Sequence, residues 1–450
     1  MSPPVETAPQ RVAPSPKWRE DQSMDPSRAA AFPFIPADTA PLVIDRTEDV
    51  WLIRDDGTRL LDAGGGAVVT NIGHGRREVV KAAARALGTI DYVVPVWATE
   101  NRIALVEELV EHWLPDGFTR ASFFSGGSES VDAAIRVART HQVAVGQPQR
   151  WKVIGRDVSY HGSTLSGLSV GNHDRRRNGL EPMLADHPKS NWLDPEALAK
   201  VIEQEGPETV AAFIGEPISG ASAGAMVPPD GYWPAVEDVC RANDILIIVD
   251  EVMTGFGRTG RTWGHEHFDV TPDIIVGGKG LSGGYAPMGG IYSTDAVVDP
   301  IAAAGMGLMY FTFSGADLGC AVSVEVLRIM RQEQLVQRSA EMGARLRRRL
   351  EDELGGHPNV SDIRGLGLMQ GIELVQDRDT GIEFSRSIDF AARVAGEAIE
   401  RGVWVYPCGS GPVADALLIG PPFTITDDHI ELIVGTTKAA IDAAAASVSG

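Results

Sequence analysis

Two residues of this chain combine in type and spacing to do amine chemistry. Asp250 ends the apolar run Ile245-Leu246-Ile247-Ile248-Val249, and Lys279 follows a second run, Ile274-Ile275-Val276, inside Gly277-Gly278-Lys279-Gly280. Such β-branched runs read as buried strands. One carboxylate and one primary amine therefore stand at the ends of two strands, where open α/β sheets bind ligands. An acid and an amine placed together suit a cofactor that carries both a ring nitrogen and an aldehyde. A lysine alone at a strand end is a solvated point charge. Glycines on both sides change that reading, because they let another body press against the backbone.

A third group has the chemistry of an anion site. Ser125-Gly126-Gly127-Ser128-Glu129 lies between an expected strand and an expected helix. Backbone N–H groups at a helix start, with small residues permitting close approach, hold phosphate, so Gly127 and Ser128 are the candidate phosphate contacts. Two competing patterns weaken on inspection. Gly255-Phe256-Gly257-Arg258-Thr259-Gly260 fits the dinucleotide spacing, but Trp263 to Phe268 continue it poorly as a helix and no strand-end acid of the required kind follows. His265-Glu266-His267 lacks a third metal ligand, so no metal site is expected.

The run Asp250-Glu251-Val252-Met253-Thr254-Gly255-Phe256-Gly257-Arg258-Thr259-Gly260, with Gly277 to Gly289, resembles the class III pyridoxal-phosphate aminotransferases, and the resemblance extends from about Leu60 to the C-terminus. It implies pyridoxal 5'-phosphate as cofactor and the α/β architecture of fold type I: a mostly parallel sheet covered by helices, plus a smaller α/β domain built from both chain ends. It makes Lys279 the Schiff-base lysine and sets Asp250 against the pyridine nitrogen. Val252 matches the residue packed on one side of the ring, and Tyr160, in Tyr160-His161-Gly162, the aromatic stacked on the other. His161 and Glu216 join the cofactor contacts. Thr312 matches a threonine reaching the phosphate of a neighbouring subunit, which implies a homodimer, or a dimer of dimers, with shared active sites.

The sequence also departs from that family. Many relatives carry an Arg-Pro pair before the late Pro-Pro, where the arginine clamps a substrate carboxylate; here the pair is Tyr406-Pro407, and Gly409 to Ala414 read as extra loop before Pro421-Pro422. Losing a bidentate partner weakens dicarboxylate binding. Ala316-Asp317 replaces the usual His-Pro or Asn-Pro. Gly65, within Gly64 to Val68, with Trp97 and Tyr406 are the expected substrate-pocket residues. Arg175, Arg176 and Arg177 offer an alternative anion contact, although such a run ordinarily forms a solvated loop.

The elements that must position these groups follow from pattern. Residues 1–40 form an N-terminal arm, rich in Pro, Ser and Ala at its start, with Trp18, Phe32 and Phe34 able to dock. Residues 41–70 form a meander of three short strands, 71–330 a large cofactor-binding domain of alternating strands and helices, and 331–450 a C-terminal small domain. Within the last, 322–354 read as one long helical pattern carrying Arg345, Arg347, Arg348 and Arg349, and 363–374 as strand. A net charge of −21 disfavours nucleic acid and anionic membranes. Three well-separated cysteines, Cys240, Cys320 and Cys408, fit free thiols in a reducing cytoplasm. The expected activity is transamination from an amine or ω-amino donor to a 2-oxo acid, pyruvate before others. A racemase, aminomutase or decarboxylase of the same fold is the alternative.

Overall fold

A computed structural model describes residues 42–307 and 310–448; the expected arm, with Trp18, Phe32 and Phe34, lies outside the described residues. Three short strands open the described chain: β1 (Ile44–Glu48), β2 (Trp51–Arg54) and β3 (Arg59–Asp62), an antiparallel meander turning at Gly57. The central sheet takes β4 (Phe118–Phe124), β5 (Lys152–Arg156), β6 (Lys189–Ser190), β7 (Val210–Gly215), β8 (Leu246–Asp250), β9 (Ile274–Gly277) and β10 (Gly289–Thr294). Its order is β4-β10-β9-β8-β7-β5-β6, with β10 alone running against its neighbours.

Alternation along the central strands shows why this sheet is covered on both faces. Phe213, Ile247 and Val249 pack in one cluster with Trp233 and Val236 of helix Tyr232–Ala242. Their neighbours Ile214 and Ile248 pack in another with Val131, Ala134 and Ala138 of helix Gly127–Ala144. Successive side chains of a strand point to opposite faces, so a strand apolar at every position needs a layer on each side. Each fully buried Ile or Val here contributes roughly 1.5–3 kcal/mol over exposure.

The chain closes with β11 (Val360–Leu366), β12 (Met369–Leu374), β13 (Val403–Trp404), β14 (Tyr406–Ser410) and β15 (Val413–Ile419). β13 pairs in parallel with β3, so the first and last quarters of the chain share a sheet. The other four form an antiparallel sheet, β11-β12-β15-β14.

Three expectations change. The pattern over 322–354 is two helices, Asp317–Gln332 and Leu335–Leu354, because Gln334 turns left-handed at φ 51°. The stretch 363–374 is a hairpin, not one strand. It turns at Gly367 (φ 53°), where any Cβ would collide with the backbone of Thr259. The supposed extra loop 409–414 is the tip of the β14–β15 hairpin, with Gly411 at φ 58°. Gly65 to Val68 form a tight irregular turn, with Gly66 at φ 65° and Val68 at φ 58°. The arginine cluster forms exposed ion pairs, among them Arg345 with Asp427 (2.8 Å) and Arg349 with Glu431 (2.7 Å).

Candidate active site

The parallel pairing of β8 with β9 sets Asp250 beside Val276, so Asp250 and Lys279 emerge at the same edge of the sheet. The same edge receives Gly127 after β4, Tyr160 and His161 after β5, and Glu216 after β7. A cavity of about 170 Å³ is lined by Gly127, Ser128, Tyr160, His161, Glu216, Asp250, Val252 and Lys279 together.

Asp250 is buried and doubly held. Its Oδ2 lies 2.7 Å from Nδ1 of His161, and its Oδ1 accepts the backbone N–H of Val252 at 3.1 Å. Those two contacts fix the orientation of its carboxyl group. Glu216 acts differently. Its two oxygens accept the backbone N–H groups of Tyr160 (3.2 Å) and Gly220 (3.0 Å), and burial pushes its carboxyl up. It orients the segment that carries the aromatic wall.

Lys279 donates from Nζ to the carbonyl oxygen of Ala67 at 2.8 Å. Both ends of this contact are strained: Lys279 sits at φ 38° and Val68, just beyond Ala67, at φ 58°. Non-glycine residues in this region cost about 1–3 kcal/mol each and persist where the surroundings over-determine them. Burial lowers the Lys279 amine from 10.5 to about 8, against the opposing pull of Asp250.

A pyridoxal-phosphate-type cofactor fits this cavity. A Cβ at Gly127 would come within 2.7 Å of Val252 Cγ1, and one at Gly162, with φ 99°, within 2.6 Å of Ser128 Oγ. The loop backbone is therefore left bare for an anion, with Val252 as a wall. Nε2 of His161, on the cavity wall, is buried without a hydrogen-bond partner. Asp250 supplies an anion for a ring nitrogen and Lys279 an amine for an aldehyde.

Other expected residues lie elsewhere. Thr312 is exposed and lies outside this cavity. Trp97 is 64% exposed and lines a larger recess of about 740 Å³ at the β4–β10 edge, with Phe124 and Tyr310. That recess lacks both Asp250 and Lys279, so its size does not make it the chemical centre. Gly65 (φ 56°) shapes the turn that presents Ala67; a Cβ there would strike the Gly420 carbonyl oxygen. Tyr406 lines a third recess, separated from the cofactor cavity by Ala221. His265 and His267 are structural: His265 Nδ1 lies 2.8 Å from Glu251 Oε1, and His267 Nε2 3.1 Å from Thr259 Oγ1. Sequence reading missed Ala67, whose carbonyl carries no residue-type signal, and Arg258. The latter had a signal, a cation inside a glycine turn.

Taken together, sheet, cavity and acid–amine pair define a fold type I enzyme built for pyridoxal phosphate. The sequence model of the class III aminotransferases matches residues 35–441. Putrescine–pyruvate aminotransferase of Pseudomonas aeruginosa is 33% identical over 90% of this chain and 91% of its own. The omega transaminase of Pseudomonas jessenii, solved in complex with PMP, superposes with a TM-score of 0.88 at 31% identity, covering 95% of this chain and 99% of that one. A thermostable (S)-enantioselective omega-transaminase of Thermomicrobium roseum gives 0.87 at 34% identity over 93% and 98%. This chain belongs to the class III aminotransferases, a pyridoxal-phosphate-dependent family.

Proposed function

We propose that this aminotransferase moves an amino group from an amine or ω-amino donor to a 2-oxo acid, with pyruvate the preferred acceptor and Lys279 the point of covalent attachment. The observation that carries the reading is one cavity holding a strained, half-buried amine and a hydrogen-bonded carboxylate at the ends of adjacent parallel strands. The Pseudomonas aeruginosa relative, named for an amine and pyruvate, supports the choice of substrates.

The cofactor supplies an aldehyde and an electron-accepting ring. The chain supplies the rest. N–H groups of Gly127 and Ser128 would hold the phosphate, Val252 and Tyr160 would flank the ring, and Asp250, steadied by His161, would face the ring nitrogen and favour its protonated form. Lys279 would offer its Nζ to the cofactor aldehyde and, as a free amine, would be the group that moves a proton at the donor carbon. Thr312, which lies outside its own chain's cavity, serves the phosphate of a second copy.

The test is direct. The purified enzyme, incubated with one amine and pyruvate, forms alanine. Lys279→Ala loses the visible absorbance of the attached cofactor and lowers turnover by about a thousandfold or more. Undiminished transamination by that variant sinks the assignment.

A further inference from the structure

A recess of about 240 Å³ lies between the turn Asp174–Arg177 and the last strands, and Ala221 forms a wall common to it and the cofactor cavity. Three arginines sit in that turn, and their partners separate them. Arg175 donates to Asp389 at 2.7 Å. Arg177 donates to the carbonyl oxygens of Leu168 (2.9 Å) and Gly171 (2.6 Å). Arg176 forms no ion pair with any of the described residues. Its guanidinium carbon lies 4.5 Å from the centroid of the Tyr160 ring, and Nη2 donates to the Tyr406 hydroxyl at 3.4 Å.

The nearby acids are already engaged. Asp389 holds Arg175, and Asp174 accepts from Arg386 (2.9 Å) and from Ser410 Oγ (2.8 Å). A second group in the recess, His173, makes no hydrogen bond through Nδ1, which lies 3.8 Å from Asp174 Oδ1. It is 6% exposed, and its ring meets Tyr160 edge-on at 5.9 Å. Burial and the neighbouring arginines hold its pKa down to about 4, so the imidazole is neutral.

The recess therefore offers an unpaired cation and an unused imidazole nitrogen, beside the ring that walls the cofactor. A guanidinium is a planar fork matched to two carboxylate oxygens, and stacking on an aromatic face fixes its plane. We infer that Arg176, spread over Tyr160 and steadied by Tyr406, receives the carboxylate of the 2-oxo acid acceptor and of the amino acid formed from it. The inference rests on the transaminase reading above and adds the residue that selects the acceptor. A donor amine without a carboxylate leaves Arg176 on Tyr160, so one site serves both substrate classes.

The experiment compares wild-type holoenzyme with Arg176→Gln, using pyruvate and butanal as acceptors and a monoamine donor. Losing a charge-assisted contact raises KM for pyruvate roughly ten- to a hundredfold. KM for butanal and for the amine stays unchanged, and Arg176→Lys recovers part of the loss. Calorimetric titration with propionate, which cannot react, shows binding to the wild type and none to Arg176→Gln. Equal losses toward butanal and pyruvate, or undisturbed propionate binding, overturn the inference. If the wild type aminates neither acceptor, the transaminase reading fails, and propionate still decides the role of Arg176.

Discussion

Lys279 carries its amine on a backbone that lysine ordinarily avoids. Its φ of 38° follows an extended Gly278, and its Nζ is held by the Ala67 carbonyl. The roles of Asp250 and Lys279 came from the family resemblance of the glycine-rich motifs around them, while the strands that end near the two residues were legible from two apolar runs. The Ala67 contact was not, since any residue can offer a carbonyl and the partner lies 212 residues away. Nor could sequence sort Arg175 from Arg176, because the carboxylate that claims Arg175 arrives 214 residues later. Burial of Lys279 sets a pH dependence. The neutral amine is the reactive form, and its pKa is lowered from 10.5 to about 8. Capture of pyridoxal phosphate by cofactor-free enzyme thus accelerates with pH up to about 8 and then levels, as stopped-flow absorbance would record. A rise continuing to 10.5 refutes the lowered value. The linkage has a matching sign. Between the two values the unfolded chain holds a proton the folded chain has released, so wild-type stability rises with pH there relative to Lys279→Ala.

At the scale of elements, apolar periodicity located the central strands, since a strand buried on both faces cannot be polar at any position. It failed where one residue changes direction inside a continuous pattern. Gln334 and Gly367 each break such a pattern through a left-handed φ that hydrophobicity does not encode. It also failed at Arg258. This buried guanidinium donates to the carbonyl oxygens of Thr70 (2.8 Å), Leu368 (3.0 Å) and Pro421 (2.6 Å) and lies 4.6 Å from the Phe423 ring centroid. It joins the turn after β8 to the segment after β3, the turn between β11 and β12, and the segment after β15. Arg258→Met leaves three carbonyls without a donor and lowers stability by roughly 2–4 kcal/mol. Urea titration would show a lower midpoint at unchanged slope; an unchanged midpoint would mean water replaces the guanidinium at no cost.

For the whole molecule, the recess at the β4–β10 edge and the exposed Trp97, Tyr310 and Phe313 around it form the surface we assign to a second copy. Thr312 lies in the same loop, outside the cavity of its own chain. Thr312→Ala is expected to weaken cofactor retention about tenfold by removing one phosphate contact. Equilibrium dialysis would measure this, and sedimentation would report a dimer. A monomer that retains cofactor normally after the substitution rules out sharing between chains.

The span of the Arg258 contacts also bears on how the protein is made. Pro421 leaves the ribosome 163 residues after Arg258, which at ordinary elongation rates is roughly ten to thirty seconds. Through that interval the turn following Thr254, itself part of the cavity wall, has the earlier Thr70 carbonyl for Arg258 but still lacks Pro421. A chain cut short before Pro421 is expected to hold added cofactor less tightly than the full chain, because Arg258 then keeps only its Thr70 and Leu368 contacts.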